Sequence, residues 1–255
     1  MSKPFKVAIT RPQQQGLALQ DALNEVGISS LCQPLFTYRL NTSQLAIAEQ
    51  VEKLQPSIVI FISAAAVEYA NQAFSLSSWI NSKQLIVAVG KKTLTALTTL
   101  GIQAICPELH NSEGILALPQ FIPAQIKQNH KNILIVRGDG GREFLAEQLC
   151  IRGADVEYLE SYRREWLALS SQDLDLWQQE NINTIIITSN DLLKRVVELI
   201  DVTDNYWQNT CLWLVVSERI AHTAKQLGLK NIVNAHSANN QTIISTLLNM
   251  ESKND

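Results

Sequence analysis

The stretch Asn132–Arg164, NILIVRGDGGREFLAEQLCIRGADVEYLESYRR, holds one complete folding unit. Ile133 to Val136 is apolar, rich in β-branched residues and too short for a helix, so it reads as a buried strand. The turn Arg137-Gly138-Asp139-Gly140-Gly141 follows at once. Phe144, Leu145, Gln148 and Leu149 then recur at helical spacing, and Gly153 stands where a helix stops. Val156 to Leu159 reads as a second strand, leading to Tyr162 and two arginines. Strand, glycine turn, helix and strand make the repeating unit of a parallel sheet. Its turn lies at the carboxyl end of a strand and the amino end of a helix, where such sheets take their ligands.

The same pattern recurs outward from this stretch. Val7-Ala8-Ile9 precedes Thr10-Arg11-Pro12, and a helix bearing Leu17, Leu19, Ala22, Leu23 and Val26 ends at Gly27. Ile58 to Ile62 leads into Ser63-Ala64-Ala65-Ala66, and Leu85 to Val89 into Gly90-Lys91-Lys92-Thr93. Ile185 to Ile187 leads into Thr188-Ser189-Asn190, and Leu212 to Val216 into Ser217-Glu218-Arg219. Strands alternating with helices imply parallel sheets covered on both faces. Secondary strands are expected at Ile102 to Cys106, Ala154 to Leu159 and Leu229 to Ala235. LTTLGIQAI from Leu97 to Ile105 echoes AKQLGLKNI from Ala224 to Ile232, which suggests two related α/β modules. Leu31 to Leu40 and Leu159 to Trp166 break the alternation. Both read as extended, with an aromatic next to arginine, and are expected to be a pair of crossings between two domains. Asn41 to Gln44 and Ser170 to Asp173 are polar helix starts, and Glu251 to Asp255 read as a frayed tail.

A chain of 255 residues, 46% hydrophobic and 18% charged, has enough core for one large or two smaller ordered domains. The formal net charge of -3 argues against general nucleic-acid binding, although a local basic cleft is compatible with it. No apolar run approaches the roughly 20 residues of a membrane helix, and the N-terminus lacks a signal-peptide core. Cys32, Cys106, Cys150 and Cys211 form no CxxC pair and read as reduced thiols of a cytoplasmic protein.

Several catalytic patterns fail on spacing. A dinucleotide GxGxxG beginning at Gly138 needs glycine where Glu143 stands. A phosphate loop around Gly90-Lys91-Lys92-Thr93 needs glycine where Leu85 stands. There is no GxSxG, and His110, His130, His222 and His236 show no metal-ligand spacing with the cysteines. What remains is a set of turns suited to anions: backbone N–H groups at helix starts, small residues, and arginine or lysine nearby.

Ile9-Thr10-Arg11-Pro12, Val89-Gly90 with Thr93 and Leu97, Val136-Arg137-Gly138 with Gly141-Arg142-Glu143 and Leu149, Tyr162-Arg163, and Val215-Val216-Ser217-Glu218-Arg219 together resemble the uroporphyrinogen-III synthase family, in its enteric bacterial form. The series carries the resemblance, over essentially the whole chain. It implies two doubly wound, flavodoxin- or Rossmann-like parallel-sheet domains joined by a two-stranded hinge, with the active site in the cleft between them. The expected boundaries are residues 1–36 with 166–255 for a discontinuous first domain, 41–159 for the second, and hinge strands at about 34–40 and 160–165. The implied substrate is hydroxymethylbilane, a polycarboxylate tetrapyrrole. Ring A loses its hydroxyl as water, the substituted position of ring D attacks to give a spiro intermediate, and reclosure inverts that ring. No cofactor, metal, nucleic acid or membrane is expected, and the chain is expected to be a monomer.

By this resemblance Tyr162 is the candidate acid assisting hydroxyl departure; its bland alternative is packing across the hinge. Arg11 and Arg137 would pair with substrate carboxylates, or instead form ion pairs that stabilise turns or the interdomain contact. Ser63 and Ser189 stand at N-cap positions and could also bind ligand. Gly90, Gly138, Asn190, Ser217 and Arg219 complete the expected binding set, with Thr93 either facing the cleft or bonding back along its helix. At Ile220 the chain departs from a threonine common in the family. The competing class is a non-enzymatic two-lobed module closing on a small anion. A nucleotide-dependent transferase is disfavoured by the failed glycine patterns.

Overall fold

A computed structural model describes residues 4–129, 131–141, 143–200 and 204–252 of the chain. Arg142 of the glycine turn, His130, and the last residues of the tail lie outside the described residues. The chain forms two compact units, Met1–Thr37 with Glu165–Asp255, and Tyr38–Arg164. It passes between them at 37/38 and returns at 164/165.

The first unit carries β1 (Lys6–Ile9), α1 (Gln13–Glu25) and β2 (Ser29–Cys32). The second runs through β3 (Phe36–Leu40), α2 (Gln44–Leu54), β4 (Ile58–Phe61), α3 (Ala64–Ala73), β5 (Leu85–Ala88) and α4 (Lys91–Thr99). It continues with α5 (Ser112–Ala117), α6 (Pro123–Asn129), β6 (Asn132–Gly138), α7 (Phe144–Ile151) and β7 (Asp155–Trp166). The first unit resumes with α8 (Ser171–Gln179), β8 (Thr184–Ile187), α9 (Asn190–Leu199), β9 (Leu212–Val215), α10 (Glu218–Gln226), β10 (Ile232–Asn234) and α11 (Asn240–Glu251). Strands β3 and β7 begin in one unit and end in the other.

One sheet has the order β10-β9-β8-β1-β2, with every pair parallel. The other has the order β3-β7-β6-β4-β5, with β5-β4, β4-β6 and β6-β7 parallel. The strand interiors are almost wholly buried, as two-sided helix cover requires: Val7 to Ile9, Ile58 to Phe61 and Leu212 to Val215 are all inside. In the second unit the side chains sort by strand period. Val59, Phe61, Leu134 and Val136 pack with Ile47, Ala66, Ala70 and Leu97, under α2, α3 and α4. Ile58, Ile60, Ile133 and Ile135 pack with Ile115, Ile126, Leu145 and Leu149, under α5, α6 and α7.

The two units share a topology that the chain enters at different points. Helix α10 is followed by β10, which pairs with β9; α4 is followed by Ile105, which bridges Val87 of β5. Starting there, Ile105, β5, β4, β6 and β7 take the places of β10, β9, β8, β1 and β2. Gly101 (φ 75°) and Gly228 (φ 88°) occupy the matching left-handed positions after the two helices. The echo between Leu97–Ile105 and Ala224–Ile232 therefore marks equivalent βαβ crossovers. In both sheets the strand order reverses at one place, between β8 and β1 and between β4 and β6.

Three sequence expectations are corrected. Leu31 to Leu40 is not one crossing: it divides at Pro34 into β2, an edge strand of the first sheet, and β3 of the other. Proline cannot donate to a ladder; Gln33 and Leu35 on either side donate to the Ile9 and Thr10 carbonyls. Ile102 to Cys106 forms only the single bridge at Ile105 rather than a strand. Val156–Leu159 and Leu159–Trp166 are one continuous strand, β7.

Candidate functional site

The expected site residues fall at the carboxyl ends of the strands, and most cluster where the strand order reverses. In the first unit Arg11 follows β1, and Ser189 and Asn190 follow β8. In the second Ser63 follows β4, and Arg137 and Gly138 end β6. Ligands of open parallel sheets bind at such reversal points because diverging connections leave a crevice there. Ser217 after β9 and Gly90 after β5 lie one strand outward, at equivalent places.

The serines are N-caps. Ser63 Oγ accepts from the Ala66 amide at 3.0 Å, Ser189 Oγ from Leu192 at 3.1 Å, and Ser217 Oγ from Ile220 at 3.4 Å. Each satisfies one of the unpaired donors of a helix start and leaves others for a ligand. Gly90 begins α4 in extended conformation, and a Cβ on it would stand 3.3 Å from the His110 Cβ. The third residue of α4, Thr93, is buried, and its hydroxyl makes no hydrogen bond among the described residues. Thr95, Thr98 and Thr99 bond back to the carbonyls of Lys91, Leu94 and Thr95; Thr93 does not share that role. Asn190 also has a buried Oδ1 with no partner in the described structure. Arg219 is exposed, whereas Ile220 is buried in the first unit and cannot offer its position to a ligand.

Tyr162 is placed by an irregularity in β7. Arg137 stands opposite Glu160 but Gly138 opposite Tyr162, so Ser161 is an extra residue in the register. Such a bulge re-aims the side chains that follow it. Ser161 is fully buried, with Oγ 3.2 Å from the carbonyls of Ala66 and Arg137. Tyr162 consequently packs on the α3 face of the sheet. Its ring meets Tyr38 edge-on at 4.7 Å and Tyr69 at 5.6 Å, and its hydroxyl lies 3.3 Å from Ser63 Oγ. The Tyr69 hydroxyl donates to the Tyr38 carbonyl at 3.0 Å, tying the three rings together. Gly138 makes room for them: a Cβ there would lie 2.6 Å from a Tyr162 ring carbon. Burial, with lesser effects of the neighbouring phenols, raises the Tyr38 phenol above its ordinary value.

Arg137 belongs to the opposite face. Its buried guanidinium lies 4.3 Å over the Tyr158 ring, and Nη1 donates to Glu143 at 2.9 Å. Tyr158 also donates to Glu143, at 2.5 Å. Arg137 and Tyr158 line a cavity of about 270 Å³ together with Val89, His110 and Asn111. The turn-stabilising ion pair is thus realised at Arg137. Hydrogen bonds from Tyr158 and Arg137 hold the Glu143 carboxyl below its usual range. Burial, then the bond to Glu143, pushes the Tyr158 phenol up to about 12. Tyr206, which donates to the Ile182 carbonyl in the first unit, is raised to about 12 by burial.

A phenol whose folded value exceeds the free value of about 10 holds its proton more tightly when folded. Its stabilising contribution is complete below about pH 10 and is lost as pH rises toward about 12. Melting temperature is therefore expected to decline between those values, and Tyr158→Phe with Tyr206→Phe should flatten the decline. An equally steep decline in the double variant would remove both phenols from the account.

Arg11 differs from Arg137. It is 5% exposed, donates to the Ala238 carbonyl at 2.8 Å and to Asn240 Oδ1 at 3.0 Å, and leaves Nε without a partner. No carboxylate pairs with it among the described residues. Burial lowers its guanidinium to about 10, which keeps it cationic at neutral pH. The sequence reading did not single out Asn240, Tyr38, Tyr69, Ser161, Tyr158 or Glu143 as site residues. Only the aromatic–arginine pattern of the two extended segments pointed near the tyrosines.

Two doubly wound α/β units with hydroxyl, glycine and arginine turns at the strand carboxyl ends define a two-unit, flavodoxin-like ligand-handling class. A family model described as uroporphyrinogen-III synthase HemD matches residues 18–245, and the chain belongs to that enzyme family. It is 31% identical to the uroporphyrinogen-III synthase of Salmonella typhimurium over 95% of this chain and 100% of the relative. It is 30% identical to that of Escherichia coli with the same coverage. A crystal structure of a mutant uroporphyrinogen III synthase from Thermus thermophilus shares the fold, with a TM-score of 0.64 at 15% identity, covering 98% of this chain and 99% of the other.

Proposed function

We propose that this chain closes hydroxymethylbilane into uroporphyrinogen III with loss of water and inversion of ring D. The observation that carries the reading is 31% and 30% sequence identity with two enteric synthases over 95% of this chain and the whole of each relative. The site chemistry supports it. The substrate is a flexible polyanion with carboxylates on every ring, and each unit offers capped helix starts and an arginine at its reversal point. Much of the reactivity belongs to the substrate, so the protein contributes mainly positioning. The substituted α-carbon of ring D must reach the electrophilic methylene on ring A before the unsubstituted one does.

Tyr162 is the proposed acid. The ring A C–O bond breaks, its electrons go to oxygen, and the phenol proton completes the departing water. The pyrrole nitrogen lone pair stabilises the resulting azafulvenium. Spiro attack, fragmentation and reclosure follow, and the proton lost when ring D regains aromaticity returns to the phenolate. Arg11, Gly90, Thr93, Arg137, Gly138, Ser189, Asn190, Ser217 and Arg219 form the proposed binding set, and Ser63 stands beside the Tyr162 hydroxyl. Arg11 is favoured over Arg137 for a substrate carboxylate because Arg137 already holds Glu143. No described helix is long and apolar enough to cross a membrane; a cytoplasmic monomer is part of the proposal.

The test is to supply freshly made hydroxymethylbilane, oxidise the products and separate isomers I and III. Isomer III should predominate. Isomer I alone, as in spontaneous closure, would refute the reading, and binding without any change in isomer ratio would identify an anion-binding module instead.

A further inference from the structure

We propose that Ser63 is a positioning residue that acts through Tyr162: its oxygen accepts a hydrogen bond from the Ala66 amide and its hydroxyl donates one to the Tyr162 oxygen, turning the phenol O–H toward the departing hydroxyl. The inference rests on the proposed role of Tyr162 and gives Ser63 a task other than holding substrate.

The hydrogen-bonding capacity of the serine supports this direction. A serine hydroxyl has one hydrogen and two acceptor lone pairs. The Ala66 N–H, at 3.0 Å, occupies one lone pair. Tyr162 Oη, at 3.3 Å, is close enough to use either the hydrogen or the other lone pair. The amino end of α3 decides between them. Its partial positive charge draws electron density from Ser63 Oγ, making that oxygen a poorer acceptor and its hydrogen a better donor. The chain of donation then runs from Ala66 N–H to Ser63 O–H to Tyr162 O–H.

The phenol is held so that this direction matters. The Tyr38 and Tyr69 rings confine it, the bulge at Ser161 sets its face, and the bare Cα of Gly138 lies against it. When Tyr162 gives its proton to the leaving oxygen, phenolate charge develops on the atom facing Ser63. A hydrogen bond to that atom strengthens during the step, so it lowers the barrier rather than tightening substrate binding. Ser63 gains and loses no proton overall. The proton released at ring D restores the phenol.

The experiment measures isomer III formation by Ser63→Ala, Ser63→Gly and Ser63→Thr, each with and without Tyr162→Phe. Ser63→Ala is expected to lower kcat about 5- to 10-fold, the loss of one hydrogen bond, with KM within about 2-fold. Ser63→Gly retains a good helix start without the hydroxyl and should follow Ser63→Ala, whereas Ser63→Thr should restore kcat. In the Tyr162→Phe background Ser63→Ala should change kcat by less than about 2-fold, because the group it serves is gone. The 13Cζ resonance of Tyr162, assigned by its loss in Tyr162→Phe, should move in Ser63→Ala and stay in place in Ser63→Thr.

A rise in KM with kcat unchanged, a full Ser63→Ala effect in the Tyr162→Phe background, or an unmoved 13Cζ resonance overturns the proposal. Normal turnover by Tyr162→Phe overturns the Tyr162 role and this inference with it. A slowed Tyr162→Phe beside an unaffected Ser63→Ala overturns the inference alone.

Discussion

Tyr162→Phe is expected to lower the rate of isomer III formation by about 10²-fold or more, the range lost when a positioned general acid is removed. The change deletes one oxygen and leaves the ring between Tyr38 and Tyr69, so the packing that holds β7 against α3 persists. Among the described residues the hydroxyl makes one long contact, 3.3 Å to Ser63, and such a bond contributes only about 1 kcal/mol to stability. Melting temperature should therefore shift by no more than a few degrees. The product distribution is the sharper readout. Slowed ring closure on the enzyme gives released bilane time to close by itself, so the share of isomer I should rise as the isomer III rate falls. A variant with full isomer III turnover would show that the leaving hydroxyl takes its proton elsewhere, from water or a substrate carboxyl. A variant that is slow and also melts far lower would instead assign Tyr162 to the packing of the three rings.

The alternation of apolar runs and helical spacing was sufficient to read doubly wound α/β architecture, because strands buried on both faces leave continuous β-branched runs such as Ile58–Phe61 and Ile133–Val136. The helix starts were equally readable, since serine before a helix satisfies a donor locally: Ser63, Ser189 and Ser217 all cap. Pairing partners were less accessible. The divided segment at Pro34 and the lone bridge at Ile105 depend on which neighbour each strand finds in space. The helices α5 and α6 have little periodic signal of their own; they cover one face of β4 and β6 because Ile115 and Ile126, with Phe121 from the turn between the helices, supply its core. The circular relation between the units was visible only as the Gly101 and Gly228 echo, because the chain termini interrupt one copy and not the other.

The site was legible as positions and not as partnerships. Strand-end turns can be placed from sequence, and Arg11, Ser63, Arg137 and Ser189 lie at the sheet reversals. A sequence does not tell which face a residue takes after a bulge. Regular alternation along β7 would put Glu160 and Tyr162 on one side; the extra residue Ser161 moves Tyr162 to the other, beside Ser63 and away from Arg137. Nor does sequence show that Arg137 is already paired with Glu143 while Arg11, at the equivalent strand end, has only neutral acceptors among the described residues. That difference separates two arginines that the motifs had treated alike.

Arg11→Met is expected to lower kcat/KM for hydroxymethylbilane by about 10- to 100-fold, the range for one charge-assisted hydrogen bond to a carboxylate. Most of the loss should appear in KM, because a carboxylate on a ring remote from the breaking bond is bound alike in ground and transition states. Arg11 is buried, cationic at neutral pH, and among the described residues has an unpartnered Nε and no carboxylate pairing with it. A charge so placed is costly unless an anion joins it, and a polycarboxylate substrate brings that anion. Salt gives an independent check. Ionic strength should raise the KM of the unaltered protein more steeply than that of Arg11→Met, since the variant has lost one attraction that ions screen. Stability separates the alternatives further. Methionine retains an apolar stem and removes the desolvation of a buried cation, which offsets the lost bonds to Ala238 and Asn240, so melting temperature should change little. If Arg11→Met melts well below the unaltered protein while KM and its salt dependence stay the same, Arg11 is a clasp for the start of α11 and the substrate carboxylate lies elsewhere.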